Sequence, residues 1–129
     1  MLFGTAVVSG GMLIWPLVNR LSAGGVAQVS ALEAVQLMNR RDAVVLDVRE
    51  NAEFAAGHIP NARNIPVGEF DKRARELEKL KSRPIIVTGL SGARAAKVIA
   101  ALRKIGVAEV VALRGGFNGW AEASLPVEK

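Results

Sequence analysis

Residues 84–106 read Pro84-Ile-Ile-Val-Thr-Gly-Leu-Ser-Gly-Ala-Arg-Ala-Ala-Lys-Val-Ile-Ala-Ala-Leu-Arg-Lys-Ile-Gly106, and the succession of elements inside them decides the fold class. Ile85 to Thr88 are apolar or β-branched, as a buried strand requires, and Ala95, Val98, Ile99, Leu102 and Ile105 return at helical spacing. Gly106 then ends the helix. Between strand and helix, Gly89-Leu90-Ser91-Gly92-Ala93-Arg94 is short and rich in Gly and Ser, so it curls tightly. Such a strand, loop and helix aim backbone N–H groups, the positive end of the helix dipole and Arg94 at one point beyond the strand's carboxyl end. That point suits an anion.

The flanking sequence repeats the alternation of strand and helix. Upstream, Ser30-Ala-Leu-Glu33 forms a capping box that opens a helix to about Arg40, with Leu32, Val35 and Met38 expected on its buried side. Val44 to Val48 is a strand, apolar but for Asp47, of the kind covered on both faces in a parallel sheet, and it ends at Asp47-Val-Arg-Glu50. Gly57 ends a short helix, Pro60 fixes a turn, and a short strand is expected near Arg63 to Ile65. Val67 to Lys81 reads as a strongly charged helix whose apolar side is Phe70, Leu77 and Leu80. Downstream, Val107 to Leu113 gives a last strand, and Arg114-Gly-Gly-Phe-Asn-Gly-Trp120 turns into a short helix with Phe117 and Trp120 packed on the sheet.

These residues resemble a single rhodanese-like domain. That family writes the loop between the central strand and helix as Cys-x-x-Gly-x-Arg; here Gly92 and Arg94 match and Gly89 stands at the cysteine position. Further matches are Leu46-Asp-Val-Arg-Glu50, Glu53-Phe-x-x-Gly-His-Ile-Pro-Asn-Ala62 with Asn64-Ile-Pro66, and Leu113-Arg-Gly-Gly-Phe-x-x-Trp120. The resemblance implies an α/β, three-layer fold with a mostly parallel central sheet flanked by helices, occupying residues 30–129. It also implies an activity, transfer of sulfane sulfur held as a persulfide on the loop cysteine. The chemistry needs a thiolate stabilised by N–H groups and positive potential. The chain contains no cysteine at all, so it has no such thiolate.

What the loop retains is a cradle, Gly89 to Arg94, for an oxyanion, a carboxylate or a partner's persulfide. Ser91 is the one hydroxyl in that loop, and as a nucleophile it would need a positioned base; hydrogen bonding within the loop is the simpler role. Phosphatase chemistry, which other members of the fold perform, likewise depends on cysteine and on a loop one residue longer. Around the loop, Asp47 and Arg49 are expected to pair at the strand end, with Glu50 and Glu53 facing water. His58, the only histidine, is expected to be a hydrogen-bonded turn residue supporting the loop.

Ahead of the domain, residues 1–18 carry no charged side chain and would make roughly 27 Å of helix, near the lower limit for a bilayer's hydrocarbon core. Trp15 sits where an interfacial indole belongs and Arg20 follows it. A cleaved secretory signal fits less well, because no Lys or Arg precedes the apolar run and the run is long for a signal core, although Gly25-Val-Ala27 resembles a processing site. The segment is therefore expected to be a single-pass anchor in the inner (plasma) membrane. Residues 19–29 are expected to be a short tether, and Arg20, Arg40 and Arg41 place the domain in the cytoplasm. Ala6 and Gly10 are a small-xxx-small pair through which two anchors could pack as a weak homodimer.

Composition narrows the function further. The 129 residues suit one domain, and 50% hydrophobic content is ample for its core. The net charge of +5 is scattered and aromatics make up only 5%, which argues against a nucleic-acid partner. A lone histidine and no cysteine argue against a metal centre, and no cofactor is expected. Two classes of function stand: a catalytically silent binding module for an anion or protein partner, and a sulfurtransferase component acting on sulfur carried by another protein.

Overall fold

A computed structural model describes residues 27–89 and 93–129, the side chains of residues 93–96 excepted. The expected anchor, residues 1–18, lies outside them. Among the described residues no helix is long and apolar enough to cross a membrane.

Five parallel strands form one sheet in the order β1-β5-β4-β2-β3, with β1 Gln28–Val29, β2 Val44–Asp47, β3 Arg63–Asn64, β4 Ile85–Thr88 and β5 Val110–Leu113. Each four-residue strand is buried along its whole length, as the apolar runs require when helices cover both faces. Alternation of side chains then sorts the core. Leu46, Ile85, Val87 and Val110 meet Val98, Ile99 and Leu102 of α4 (Ala93–Lys104) on one face. Val45, Ile86 and Val111 meet Ala34 of α1 (Ala31–Arg41) and Trp120 of α5 (Gly116–Glu122) on the other. α2 (Asn51–Ala56) follows β2, and α3 (Phe70–Arg73) is a single turn between two 3₁₀ segments, Val67–Glu69 and Ala74–Leu80.

Helix boundaries follow the caps. Ser30 Oγ accepts from the Glu33 N–H at 3.1 Å while Glu33 Oε1 accepts from the Ser30 N–H at 2.7 Å, which is the capping box read from the sequence. α4 ends at Gly106, whose φ of +102° lets its own N–H donate to Arg103 O and the next, Val107, to Leu102 O.

Three expectations are corrected. Leu32 is 66% exposed, because the inward stripe of α1 runs through Ala31, Ala34, Val35 and Met38, and Leu32 lies about 100° from Ala31 around the helix axis. Residues 28 and 29, expected in the tether, are the edge strand β1: Ala27 O accepts from the Ala112 N–H and Val29 O from the Arg114 N–H, both at 2.8 Å, and Ala27 and Val29 are buried. The helix expected over Val67–Lys81 is mostly 3₁₀, since Ala74, Leu77 and Leu80 face the core at a spacing of three, the period of a 3₁₀ helix.

β2 feeds outward to β3 while β4 feeds the opposite way to β5, so the chain reverses direction between β2 and β4. In open parallel sheets the crevice at the carboxyl ends of two such strands is where ligands bind. Here those ends are Asp47 and Thr88, paired in register.

Candidate functional site

β2 delivers Asp47 and, two residues on, Arg49 to this crevice; β4 delivers Thr88 and Gly89. The Asp47 carboxylate is fully buried and is held by the Arg49 guanidinium, Nε lying 3.0 and 3.1 Å from its two oxygens and Nη2 2.8 Å from Oδ2. Asp47 Oδ1 also accepts from the Arg49 backbone N–H at 3.0 Å. The fork continues outward, Nη2 donating to Gly57 O at 2.7 Å while Cζ sits 4.5 Å from the centre of the Phe117 ring. Asn64 Nδ2 closes the underside by donating to both Asp47 O and Arg49 O at 3.0 Å. The ion pair expected at the strand end is thus the hub of a buried network joining β2, β3, α2 and α5. A planar guanidinium suits this hub because it can hold a carboxylate at two points and still stack on a ring.

Gly89 stands against this hub. Its φ is +107°, in the region that favours glycine, and a Cβ built on it would lie 2.6 Å from Arg49 Cγ, 3.0 Å from Arg49 N and 3.3 Å from Asp47 Oδ1. The aliphatic stem of Arg49 thus fills the space that a side chain at this position would occupy. Opposite, Gly116 of α5 approaches so closely that a Cβ there would lie 3.6 Å from Thr88 Oγ1 and 3.8 Å from Gly89 N. Thr88 Oγ1 is buried and makes no hydrogen bond among the described residues, an unmet polar atom at the foot of the loop.

The other expected site residues fall as follows. Leu90, Ser91 and Gly92 lie outside the described residues. Ala93 opens α4, and nothing is described of the side chains of Ala93 and Arg94. His58 is stacked on Phe54, ring centres 3.7 Å apart, with Nδ1–H donating to Phe54 O at 2.8 Å and Nε2 3.7 Å from Glu128 Oε1. Its backbone pairs in both directions with Glu128, so the histidine anchors the C-terminal residues. Glu50 and Glu53 are exposed, Glu53 Oε1 accepting from the Glu50 N–H at 3.2 Å. Among the described residues no group of acids and histidine is disposed to hold a metal.

Three participants had no signal of their own in the sequence: the Gly57 carbonyl, the Asn64 amide and the Thr88 hydroxyl. Phe117 was readable as a packed aromatic, but its place under Arg49 depends on how α5 crosses the end of the sheet. Chemically, the described groups bind and brace. Among the described residues, the side chains that meet Gly89 are the aliphatic stem of Arg49 and the Asp47 carboxylate, whose oxygens are engaged by Arg49.

The fold agrees with comparisons to known proteins. A model of the rhodanese-like domain family matches residues 30–123. The chain is 41% identical over 96 residues to the protein YibN of Escherichia coli, covering 74% of this chain and 67% of that one. It is 32% identical over 111 residues to a sulfurtransferase of Allochromatium vinosum, covering 86% of this chain and 95% of the relative. Among solved structures, a rhodanese-related protein from Thermoplasma volcanium superposes with a TM-score of 0.67 at 30% identity, covering 78% of this chain and 96% of that one. With the parallel sheet and the matched span in agreement, the chain belongs to the rhodanese-like domain family.

Proposed function

We propose that this chain is a membrane-anchored rhodanese-like domain that is catalytically silent and works by binding, taking an anion or an anionic group of a protein partner at the loop Gly89–Arg94 on the cytoplasmic face of the inner membrane. The observation that carries the reading is Gly89. A sulfur carrier needs a thiolate at the start of this loop, and the position offers neither a side chain nor space for one while Arg49 lies against it. The anion-binding half rests on the succession of β4, loop and α4, a twelve-residue helix whose first N–H groups have no partner within the helix itself. The anchoring half rests on the uncharged run of residues 1–18.

A second reading, a sulfurtransferase acting on sulfur carried by another protein's cysteine, is favoured by the activity named for the Allochromatium vinosum relative. Thiosulfate:cyanide sulfur transfer by the purified full chain separates the two. The binding reading expects no turnover above the thiol-free background; turnover at an enzymatic rate sinks it. Titration with thiosulfate or sulfite, followed by the Gly89 amide resonance, is expected to show saturable shifts. A flat titration would remove the anion from the proposal and leave the protein partner.

A further inference from the structure

We infer that the amino-terminal ends of the strands form a basic face that lies against anionic lipid, so that the Gly89 loop, at the opposite end of the sheet, points away from the membrane. Three connections meet at this end: residues 41–43 before β2, 81–84 before β4 and 105–109 before β5. They are tied together, Val44 N–H donating to Pro84 O at 2.8 Å, Ile85 N–H to Glu109 O at 2.9 Å and Arg83 Nε to Asp42 O at 2.7 Å. Lys81 Cδ would lie 3.3 Å from a Cβ on Gly106, which brings the second connection against the third.

With the last helical turn before each connection, residues 38–43, 78–84 and 101–109 hold seven basic and three acidic side chains, a net +4 out of +5 for the whole chain. Pairing uses up the acids rather than the bases. Arg41 pairs with Glu109 and Arg83 with Asp42. Arg40, Lys79, Lys81, Arg103 and Lys104 are exposed and pair with no acid among the described residues, against Glu78 alone. Helix dipoles explain cations at the ends of α1 and α4. They do not explain Arg83, which lies beyond the cap of the 3₁₀ segment, and the summed field of the face favours an anionic surface.

Two observations choose a membrane over nucleic acid. None of these residues is aromatic, so no ring is offered to stack on a base. And β1 runs parallel to β5, with Gln28 beside Ala112, so the chain enters the sheet from the same end as the basic face. This orientation rests on the anchoring reading above: residues 19–26 span at most about 27 Å fully extended, which keeps the entry point near the bilayer. The loop then faces soluble partners.

The lack of cysteine makes the test clean. Single Ser82→Cys and Asn51→Cys variants of the full chain, labelled with an environment-sensitive fluorophore, are mixed with vesicles containing spin-labelled lipid, either neutral or about one-third phosphatidylglycerol. Quenching is expected at residue 82 only with anionic vesicles. It should be lost near 1 M salt, where the Debye length is about 3 Å, and lost again on Arg103→Glu with Lys104→Glu. Residue 51 should stay unquenched throughout. Flotation of the same samples at high salt reads anchoring separately. A chain that floats while residue 82 stays unquenched overturns the orientation and spares the anchor. Salt-sensitive quenching at 82 without flotation at high salt spares the face and removes the anchor. Equal quenching at 51 and 82 overturns the inference.

Discussion

Arg49 Cγ and a Cβ on Gly89 compete for one volume, 2.6 Å apart if both are present. Two substitutions should therefore be coupled. Gly89→Ala is expected to cost at least about 2 kcal/mol, from the positive φ imposed on a residue with a Cβ and from the clash. In the background of Arg49→Ala the tightest contact, with Cγ, disappears while that with the Arg49 backbone N at 3.0 Å stays, so the double variant should be more stable than the summed single effects by roughly 1 kcal/mol. Urea unfolding of the four proteins measures this. Strict additivity would mean that the backbone, and not Arg49, sets the glycine requirement.

Arg49→Ala on its own leaves the Asp47 carboxylate buried without its cation and should cost about 3–5 kcal/mol. Arg49→Lys is expected to recover only part of this, because a single ammonium cannot reproduce the two-point hold on Asp47 together with the bond to Gly57 O. A lysine variant as stable as the parent would show that charge alone matters at this hub.

Thr88→Val is expected to be neutral or stabilising by up to about 1 kcal/mol, since it swaps an unmet buried hydroxyl for a methyl of similar shape in a strand that favours branched residues. The readout is the shift of the thermal midpoint. If the variant is instead destabilised and loses the anion response of the Gly89 amide, the hydroxyl serves the ligand.

Gly106→Ala should cost about 1 kcal/mol or more, because φ is +102° and the new methyl meets Lys81 Cδ. For a domain of this size that lowers the midpoint by several degrees. An unchanged midpoint would show that the end of α4 relaxes freely.

On the exposed surface, hydrogen bonds from Arg73 hold the Glu76 carboxyl below the usual carboxylate range, partly opposed by desolvation, and Glu76 in turn raises Arg73. A carboxyl whose folded value is depressed adds stability above its unfolded value and loses it as pH falls through the folded one. Glu76→Gln should thus narrow its difference from the parent on acidification through and below the ordinary carboxylate range, and high salt should shrink the difference at neutral pH. A difference that grows on acidification would reverse the assignment.

Local signals carried a large part of this protein. The capping box at Ser30, the stop at Gly106, the buried runs at Val44 and Ile85 and the missing thiol at Gly89 are all legible because each depends on residues close in sequence. The departures came where packing over long sequence separation decided the outcome. Gln28 and Val29 look like tether until β5 offers them partners more than eighty residues away. Ala74, Leu77 and Leu80 fit a loose helical stripe until the sheet selects the three-residue period.

By itself, then, the order of residues determined an alternating α/β domain with a glycine at the start of its loop and no cysteine anywhere, since strand and helix periodicity and the identity of residue 89 need no partner to be read. Only the tertiary structure decided that position 89 is crowded as well as bare. The Arg49 stem and the Asp47 carboxylate, both delivered by β2, meet Gly89 because the sheet places β2 beside β4, and the Phe117 ring of α5 lies against the Arg49 guanidinium from the far side of the sequence.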